Sequence, residues 1–212
     1  MMQRIEEKKF NSLLKMIFEQ IPVGIMQNFS YLIGDGDSKE GAVVDPGWEA
    51  EKILEIAKKY DLNIKIILLT HSDYDHINSV KDIVNATDAT VYVHREEGDE
   101  IKKLGINKIK LLNDDDMITI GKIKVKVIHT PGHTPGSVCF LVDNKLITGD
   151  TLFVENIGRV DKPGGDATKM AESLKKLKKL DESIEVYPGH DYGSIHHSTI
   201  KHEKKNNFHM GG

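Results

Sequence analysis

The sequence Thr70-His71-Ser72-Asp73-Tyr74-Asp75-His76 places four potential metal ligands within six residues, directly after the apolar run Ile64-Lys65-Ile66-Ile67-Leu68-Leu69. A run of β-branched and aliphatic residues predicts a buried strand. The ligands then follow the carboxyl end of that strand, where open α/β sheets commonly place their functional sites. Imidazole and carboxylate ligands together suit zinc, iron or manganese. The stretch predicts a metal site, although a polar loop that merely contains Asp and His is the alternative for so short a motif.

Three later segments have the same arrangement, because each is a strand-like run that ends in a turn carrying one ligand-type residue. Glycine directly precedes that residue each time, which lets the backbone turn sharply. Four strand ends that deliver His and Asp to a common edge indicate one site rather than a coincidence. The segments are Val125–His133, Lys145–Asp150 and Ile184–His190.

These motifs resemble those of the metallo-β-lactamase superfamily and, within it, those of the short glyoxalase II-like hydrolases. The family's first motif is His-x-His-x-Asp-His, and Asp73 stands here where the family has its second histidine. The likeness runs from about Ile17 onward. The matching positions are His71, Asp73, Asp75 and His76, then His133 within 129–137, Asp150 within 148–153 and His190 within 187–192, with 28–33, 44–47 and 157–161 also fitting.

Hydrophobic periodicity predicts strands and helices in two successive groups. This order indicates an α/β fold of two mixed β-sheets packed face to face with helices outside, and the resemblance gives it the name αββα four-layer sandwich. We expect one domain over 1–212, with a flexible N-terminus at 1–10. Since the sequence ends after one short helix, we expect no C-terminal helical substrate domain. Predicted strands include 13–26, 27–33, 41–45, 90–94, 118–120, 123–128 and 138–142, and predicted helices 48–60, 78–85, 95–104, 168–180 and 198–207.

The resemblance implies two divalent metal ions, zinc, iron or manganese, bridged by Asp150. It assigns His71, Asp73 and His133 to site one, and Asp75, His76 and His190 to site two. Asp75 and Asp150 are also the expected catalytic residues. A hydroxide between two cations is available at neutral pH because metals lower the pKa of bound water. It would attack a carbonyl carbon while the metals stabilise the oxyanion, so the implied activity is hydrolysis of small thioesters.

Asp73 leaves the metal content open. If Asp73 is a ligand, the added hard oxygen moves the preference of site one from zinc toward iron or manganese. If it is not, the centre holds one metal, and His71, His133 and Asp150 form the two-His-one-carboxylate set that suits iron and that the related persulfide dioxygenases use. Such a mononuclear-iron dioxygenase is the alternative function. A third alternative is a metal-binding domain without catalysis.

Two positions resemble the residues that contact glutathione in glyoxalase II. Arg159 lies where that enzyme has a lysine, and Tyr192 lies where it has a tyrosine. A guanidinium could hold a substrate carboxylate and a phenol could hydrogen-bond it. The alternative for Arg159 is an ion pair with Asp161 or Asp166. Without the helical domain, the sequence supports a thioester as the substrate class more strongly than it supports glutathione as the thiol part of that thioester.

Composition restricts the partners. A net charge of −4 without a basic stripe argues against nucleic acid, and no segment is predicted to enter a membrane. The single cysteine, Cys139, lies in a strand-like run and is interpreted as a buried apolar residue, which suits a reducing cytoplasm. We expect a small-molecule substrate and a monomer or homodimer. The histidines expected to be exposed rather than ligands are His196, His197, His202 and His209.

Overall fold

The computed structural model describes residues 16–211, and the N-terminal segment predicted to be flexible, 1–10, lies outside them. Two six-stranded sheets form most of the fold. The first contains, in spatial order, β1 (Met16–Val23), β2 (Asn28–Asp35), β3 (Glu40–Val44), β4 (Asn63–Leu68), β5 (Thr90–His94) and β6 (Ile109–Leu112). The second contains β7 (Met117–Ile120), β8 (Ile123–His129), β9 (Val138–Val142), β10 (Lys145–Gly149), β13 (Glu185–Pro188) and β14 (Ser198–Thr199), and β11 (Leu152–Phe153) pairs separately with β12 (Asn156–Ile157).

Both sheets are mixed. Strands β3, β4, β5 and β6 run parallel, whereas β1, β2 and β3 pair antiparallel. In the second sheet, β10 and β13 are parallel and the other pairs are antiparallel. The helices are α1 (Ala50–Lys59), α2 (Tyr74–Ile77), α3 (Val80–Thr87), α4 (Gly98–Lys103), α5 (Ala167–Leu177) and α6 (Ile200–Asn206), with a 3-10 turn at Arg95–Glu97.

Three apolar clusters hold the layers together. The central one joins the facing sides of the two sheets, with Tyr31 from β2 and Phe140 from β9 fully buried in it. The second packs α1 and α3 on the outer face of the first sheet, and the third packs α5 and α6 on the outer face of the second. The predicted αββα sandwich is therefore confirmed. Cys139 is buried in the third cluster, and burial raises the pKa of its thiol to about 11, as expected for a structural residue.

Several predicted boundaries differ from the observed ones. The first predicted strand, 13–26, ends at Val23, because Gly24 and Gln27 adopt positive φ angles and form a turn. The helix predicted at 78–85 is observed as α3, and a separate short helix that was not predicted, α2, precedes it inside the metal-ligand motif. The helix predicted at 198–207 begins with the short strand β14 before α6. Within the described chain, every helix is too short or too polar to cross a membrane.

Candidate metal centre

The ligand-type residues lie together at one edge of the sandwich, where β4, β10 and β13 end. His71 follows β4, and Asp75 and His76 lie on the short helix α2. The glycine before Asp150 has φ 48°, and a side chain there would collide with Thr70. The predicted sharp turn is thus observed at Gly149. His71, His76, His133, Asp150 and His190 are all buried.

The side chains converge in two groups whose donor atoms all lie within 4.8 Å of one another. Asp150 faces both groups, since its Oδ2 is 3.6 Å from His133 Nε2 and 3.4 Å from His190 Nε2. A third group consists of Asp45, His71 and His76, and so shares one histidine with each of these two. The two groups are His71, His133 and Asp150, and Asp75, His76 and His190.

The donor atoms fit a metal ion. His71 Nε2 and Asp150 Oδ1 are buried and have no hydrogen-bond partner among the described residues, and such orphaned polar atoms cost free energy unless something binds them. His76 Nε2 and His190 Nε2 approach to 3.2 Å, so two ring nitrogens face each other. An ion held between imidazole and carboxylate donors would satisfy all of these atoms.

Burial and the neighbouring charges shift the pKa values of the centre in opposite directions. Burial lowers the pKa of His71 well below its usual value, and the nearby His76 adds to this effect. Burial also disfavours the charged form of His190, but the carboxylates of Asp150 and Asp75 outweigh it and raise the pKa of His190 to about 9. The carboxyl pKa values of Asp75 and Asp150 are lowered despite burial, by His190 and His76 respectively. The cluster therefore holds both carboxylates ionised, ready to bind a cation.

Asp45 holds the metal-ligand motif in place through its contacts with Thr70 and His76. Its Oδ1 accepts a hydrogen bond from Thr70 N at 2.8 Å, and its Oδ2 accepts one from Thr70 Oγ1 at 2.6 Å. Asp45 Oδ2 also lies 3.2 Å from His76 Nδ1. A carboxylate behind a histidine fixes the ring and its tautomer. The sequence placed Asp45 in a matching segment but assigned it no role.

Backbone carbonyls position two further histidines. His133 Nδ1 lies 2.8 Å from the carbonyl oxygen of Arg159, and His190 Nδ1 lies 2.9 Å from that of Met26. Since a carbonyl only accepts, each Nδ1 donates and each Nε2 is left free to face the site. Neither contact was predicted, because the partners are carbonyls that any residue would supply.

Glu97 connects the first ligand loop to the second. Its Oε1 accepts a hydrogen bond from Gly136 N at 2.9 Å, and its other oxygen accepts one from the Ser72 hydroxyl. Glu97 is buried although glutamate is a surface residue type. Glu97 lies in the helix predicted at 95–104, and no motif in the sequence indicates this role.

Asp73 approaches site one but is shared with a lysine. Its Oδ2 lies 3.1 Å from His133 Nε2 and 3.7 Å from His71 Nε2. The same oxygen forms an ion pair with Lys162 Nζ, which itself lies 3.1 Å from His133 Nε2. The carboxyl pKa of Asp73 is lowered by His133, His71 and Lys162, despite the opposing effect of burial. Lys162 was not predicted to be near the site.

A cavity of about 570 Å³ opens onto this edge, and its lining includes Asp73, Asp75, His133, Asp150 and His190. The Tyr192 ring stacks on His190 with centroids 4.6 Å apart, and its hydroxyl donates to Met26 O at 3.1 Å. Arg159 Nε pairs with Asp161 Oδ1 at 2.8 Å, so the ion pair that the sequence offered as an alternative is present, while Arg159 still lines the cavity. The other lining residues are Met26, Phe153, Asn156, Ile157 and Lys162.

Comparisons of sequence agree with the geometry. The sequence profile of the metallo-beta-lactamase superfamily matches residues 23–190. The chain is 36% identical over 175 residues to the probable polyketide biosynthesis zinc-dependent hydrolase PksB of Bacillus subtilis, a match that covers 82% of this chain and 77% of that protein. It is 32% identical over 210 residues to the hydroxyacylglutathione hydrolase GloC of Haemophilus influenzae, covering 91% and 97% of the two chains.

Solved structures give the same result. The structure of ETHE1 from Myxococcus xanthus superposes with a TM-score of 0.81 at 30% identity, covering 91% of this chain and 84% of that one. The protein TTHA1623 in a di-iron-bound form superposes with a TM-score of 0.76 at 31% identity, covering 90% and 98%. Zinc-dependent and di-iron proteins are thus both similar to this chain, in agreement with the predicted cofactors, two divalent metal ions.

Proposed function

Because this chain belongs to the metallo-beta-lactamase superfamily, we propose that it is a cytoplasmic, metal-dependent hydrolase of small thioesters. One observation carries the proposal. One cavity is lined by His and Asp residues of the two clusters, by apolar side chains and by the cations Arg159 and Lys162. That combination suits an acyl group joined to a thiol that carries a negative charge.

The residue roles follow the two groups. His71, His133 and Asp150 would hold one ion, with Asp73 beside them, and Asp75, His76 and His190 would hold the other. Asp150 faces both groups, which supports its role as the bridge. When bound, such ions polarise a carbonyl and lower the pKa of water. No serine or cysteine nucleophile is then required, and the raised pKa of the Cys139 thiol suits that conclusion.

The remaining cavity residues would bind and orient the substrate. Met26, Phe153 and Ile157 offer apolar surface to an acyl chain and exclude water from the base of the cavity. Arg159 would bind a distal carboxylate of the thiol component, and Tyr192 would donate a hydrogen bond to it by exchanging its present acceptor, Met26 O, for the carboxylate. Asp75 and Asp150 would act as catalytic residues by holding the ions in place and by offering carboxylate oxygens that accept the proton of the attacking water molecule.

Release of free thiol tests this proposal. Protein loaded with zinc or iron is incubated with S-lactoylglutathione, acyl-coenzyme A thioesters and simple acyl thioesters, with matched oxygen esters as controls. We expect metal-dependent thiol release from at least one thioester and loss of that activity in His190→Ala. Metal binding without hydrolysis of any thioester would reject the proposal and favour a non-catalytic metal-binding domain.

A second candidate function is oxidation of a persulfide at a single iron. The observation that favours it is the pairing of Asp73 with Lys162, which leaves His71, His133 and Asp150 as a two-His-one-carboxylate group. The similarity to ETHE1 is compatible with this alternative. Oxygen uptake by iron-loaded protein with glutathione persulfide would support it, especially if purified protein retains one iron per chain.

A further inference from the structure

Lys162 supplies a positive charge to the half of the centre that contains the substituted position, Asp73. We propose that the Lys162 ammonium competes with a metal ion for the Asp73 carboxylate, so that site one (His71, Asp73, His133 and Asp150) binds its ion more weakly than site two (Asp75, His76, His190 and Asp150). The inference rests on the metal centre of the proposed function. It is independent of which substrate that centre acts on.

The competition follows from shared donor atoms. Lys162 Nζ is ion-paired with Asp73 Oδ2 and lies 3.1 Å from His133 Nε2. These two atoms are also what Asp73 and His133 would offer to an ion in site one. Two cations that use the same oxygen and nitrogen exclude each other by occupancy and by charge repulsion. The Lys162 side chain is only 16% exposed, so solvent screens the repulsion weakly.

Site two has no such competitor. The Asp75 carboxylate accepts a hydrogen bond from Asn28 Nδ2 at 2.8 Å and lies 3.3 Å from His190 Nε2. Within residues 16–211, no lysine or arginine pairs with Asp75. Apart from the bridging Asp150, each site therefore contains one carboxylate. Asp73 in site one is paired with a lysine, whereas Asp75 in site two is not.

The charge balance explains why Asp73 and Lys162 belong together. The family's histidine is neutral when it binds a metal, whereas Asp73 adds one negative charge. The Lys162 ammonium cancels that charge, so the Asp73–Lys162 pair is as neutral as the imidazole it replaces. An ion that displaces Lys162 would meet an oxygen-rich site, which hard cations prefer. An ion can therefore occupy site one only if the ion pair between Asp73 and Lys162 breaks.

The backbone holds Lys162 at this position. Its carbonyl oxygen accepts a hydrogen bond from Gly165 N at 2.8 Å, which closes a tight turn. On one side of the turn, the carbonyl of Arg159 contacts His133 Nδ1. On the other, Asp166 N donates to Gly132 O at 2.8 Å, and the Asp166 side chain caps α5 by accepting hydrogen bonds from Thr168 N and Lys169 N. A turn fixed at both ends holds the Lys162 backbone beside the centre, so only its side chain must still be ordered.

Zinc binding alone tests the inference. Metal-free protein is titrated with chelator-buffered Zn²⁺, and bound zinc per chain is measured by equilibrium dialysis and elemental analysis. The wild-type protein should bind two ions in separate steps. In Lys162→Met the weaker step should move to at least about tenfold lower free Zn²⁺ because the competing cation is gone, while the stronger step stays in place. An unchanged weaker step, or an equal shift of both steps, would overturn the inference.

Three controls accompany the zinc titration. Lys108→Met removes a lysine that pairs with Asp88 at 2.7 Å, at the amino ends of β5 and β6 and therefore opposite the metal edge; it should leave both steps unchanged. In an Asp73→Asn background, Lys162→Met should shift the weaker step by about threefold or less, because the shared carboxylate is absent. A full shift in that background would contradict competition for Asp73. Circular dichroism establishes that each variant is folded.

The wild-type protein provides an independent readout. If zinc displaces the Lys162 ammonium from Asp73, acetylation of Lys162 should accelerate when the second equivalent of Zn²⁺ binds and not with the first. Mass spectrometry after brief treatment with acetic anhydride measures this, with Lys108 as the internal reference. Equal labelling of Lys162 with and without the second ion would count against displacement. None of these readouts uses a substrate, so they remain interpretable if no thioester is hydrolysed.

Discussion

Asp45 Oδ2 lies 3.2 Å from Nδ1 of His76, and both side chains are almost completely buried. The contact crosses from the end of β3 to α2, which lies inside the ligand motif. The same carboxylate binds the backbone and hydroxyl of Thr70, whose Oγ1 in turn lies 3.0 Å from His71 Nδ1. One buried carboxylate therefore orients two of the predicted ligands, one in each site.

Replacing Asp45 with asparagine should weaken metal binding without removing any predicted ligand. The amide keeps the shape of the carboxylate but loses the charge behind His76, and loss of such a support typically costs about 10- to 100-fold in metal affinity. Competition with a zinc chelator measures the change. Asp35→Asn is the matched control, because Asp35 is equally buried but lies at the far end of β2 from Asn28. Asp35→Asn should reduce stability and leave zinc affinity unaltered; equal affinities for the two variants would contradict the assigned role.

Glu97→Ala should loosen the centre by separating its first two loops. The substitution removes acceptors for Gly136 N, which is buried, and for the hydroxyl of the half-buried Ser72. Leaving a buried donor unpaired costs about 1–3 kcal/mol, so we expect a lower Tm together with weaker zinc binding. Glu97→Gln retains one acceptor and one donor and should recover most of both. The neighbouring Glu96 is exposed, and a normal phenotype is expected for Glu96→Ala.

The structure brings together residues that the sequence places after strand-like runs. His71, His133, Asp150 and His190 each lie in the turn or loop that follows such a run, and parallel strands bring their carboxyl ends to one edge. The fold followed for the same reason, since strand and helix periods are local features of sequence. Helix α2 was missed because a four-residue helix inside a ligand loop has no apolar repeat to reveal it.

Contacts between distant loops were not predictable. Lys162 belongs to no motif, and its proximity to Asp73 depends on a turn fixed by Gly132 and Gly165. Glu97 looks like an ordinary helix-surface acid until Gly136 is known to lie beside it. By contrast, the pair of Arg159 with Asp161 could be proposed because the two residues are two positions apart. Contacts between residues close in sequence could be predicted, whereas ion pairs between distant segments could be identified only from the structure.

The metal-free protein should lose stability as the pH rises from about 6.5 to 9. The pKa of His190 is raised to about 9 in the folded state, above the unfolded value of about 6.5. Its protonated form therefore adds stability that is complete below about pH 6.5 and is lost as the pH rises through 9, an effect of about 1–3 kcal/mol. Urea unfolding of chelator-treated protein at pH 6, 7.5 and 9 measures it. Zinc-loaded protein should show the opposite trend, because metal binding requires neutral imidazole, and parallel trends for the two forms would refute the explanation.

Arg159→Ala should raise KM more than it lowers kcat for substrates with a distal carboxylate. Arg159 is 65% exposed, and its pair with Asp161 at 2.8 Å is a surface ion pair, a kind that contributes little to stability and is readily exchanged for another anion. Removing a contact that is made equally in the ground and transition states changes KM alone, so we expect KM to rise about tenfold or less and kcat to stay within about twofold.

A thioester without a distal carboxylate is the control substrate, and its KM should not change. Asp161→Asn frees the guanidinium and should lower KM for the anionic substrate. If Arg159→Ala and Asp161→Asn instead reduce Tm alike and leave KM unaltered, Arg159 is a structural residue.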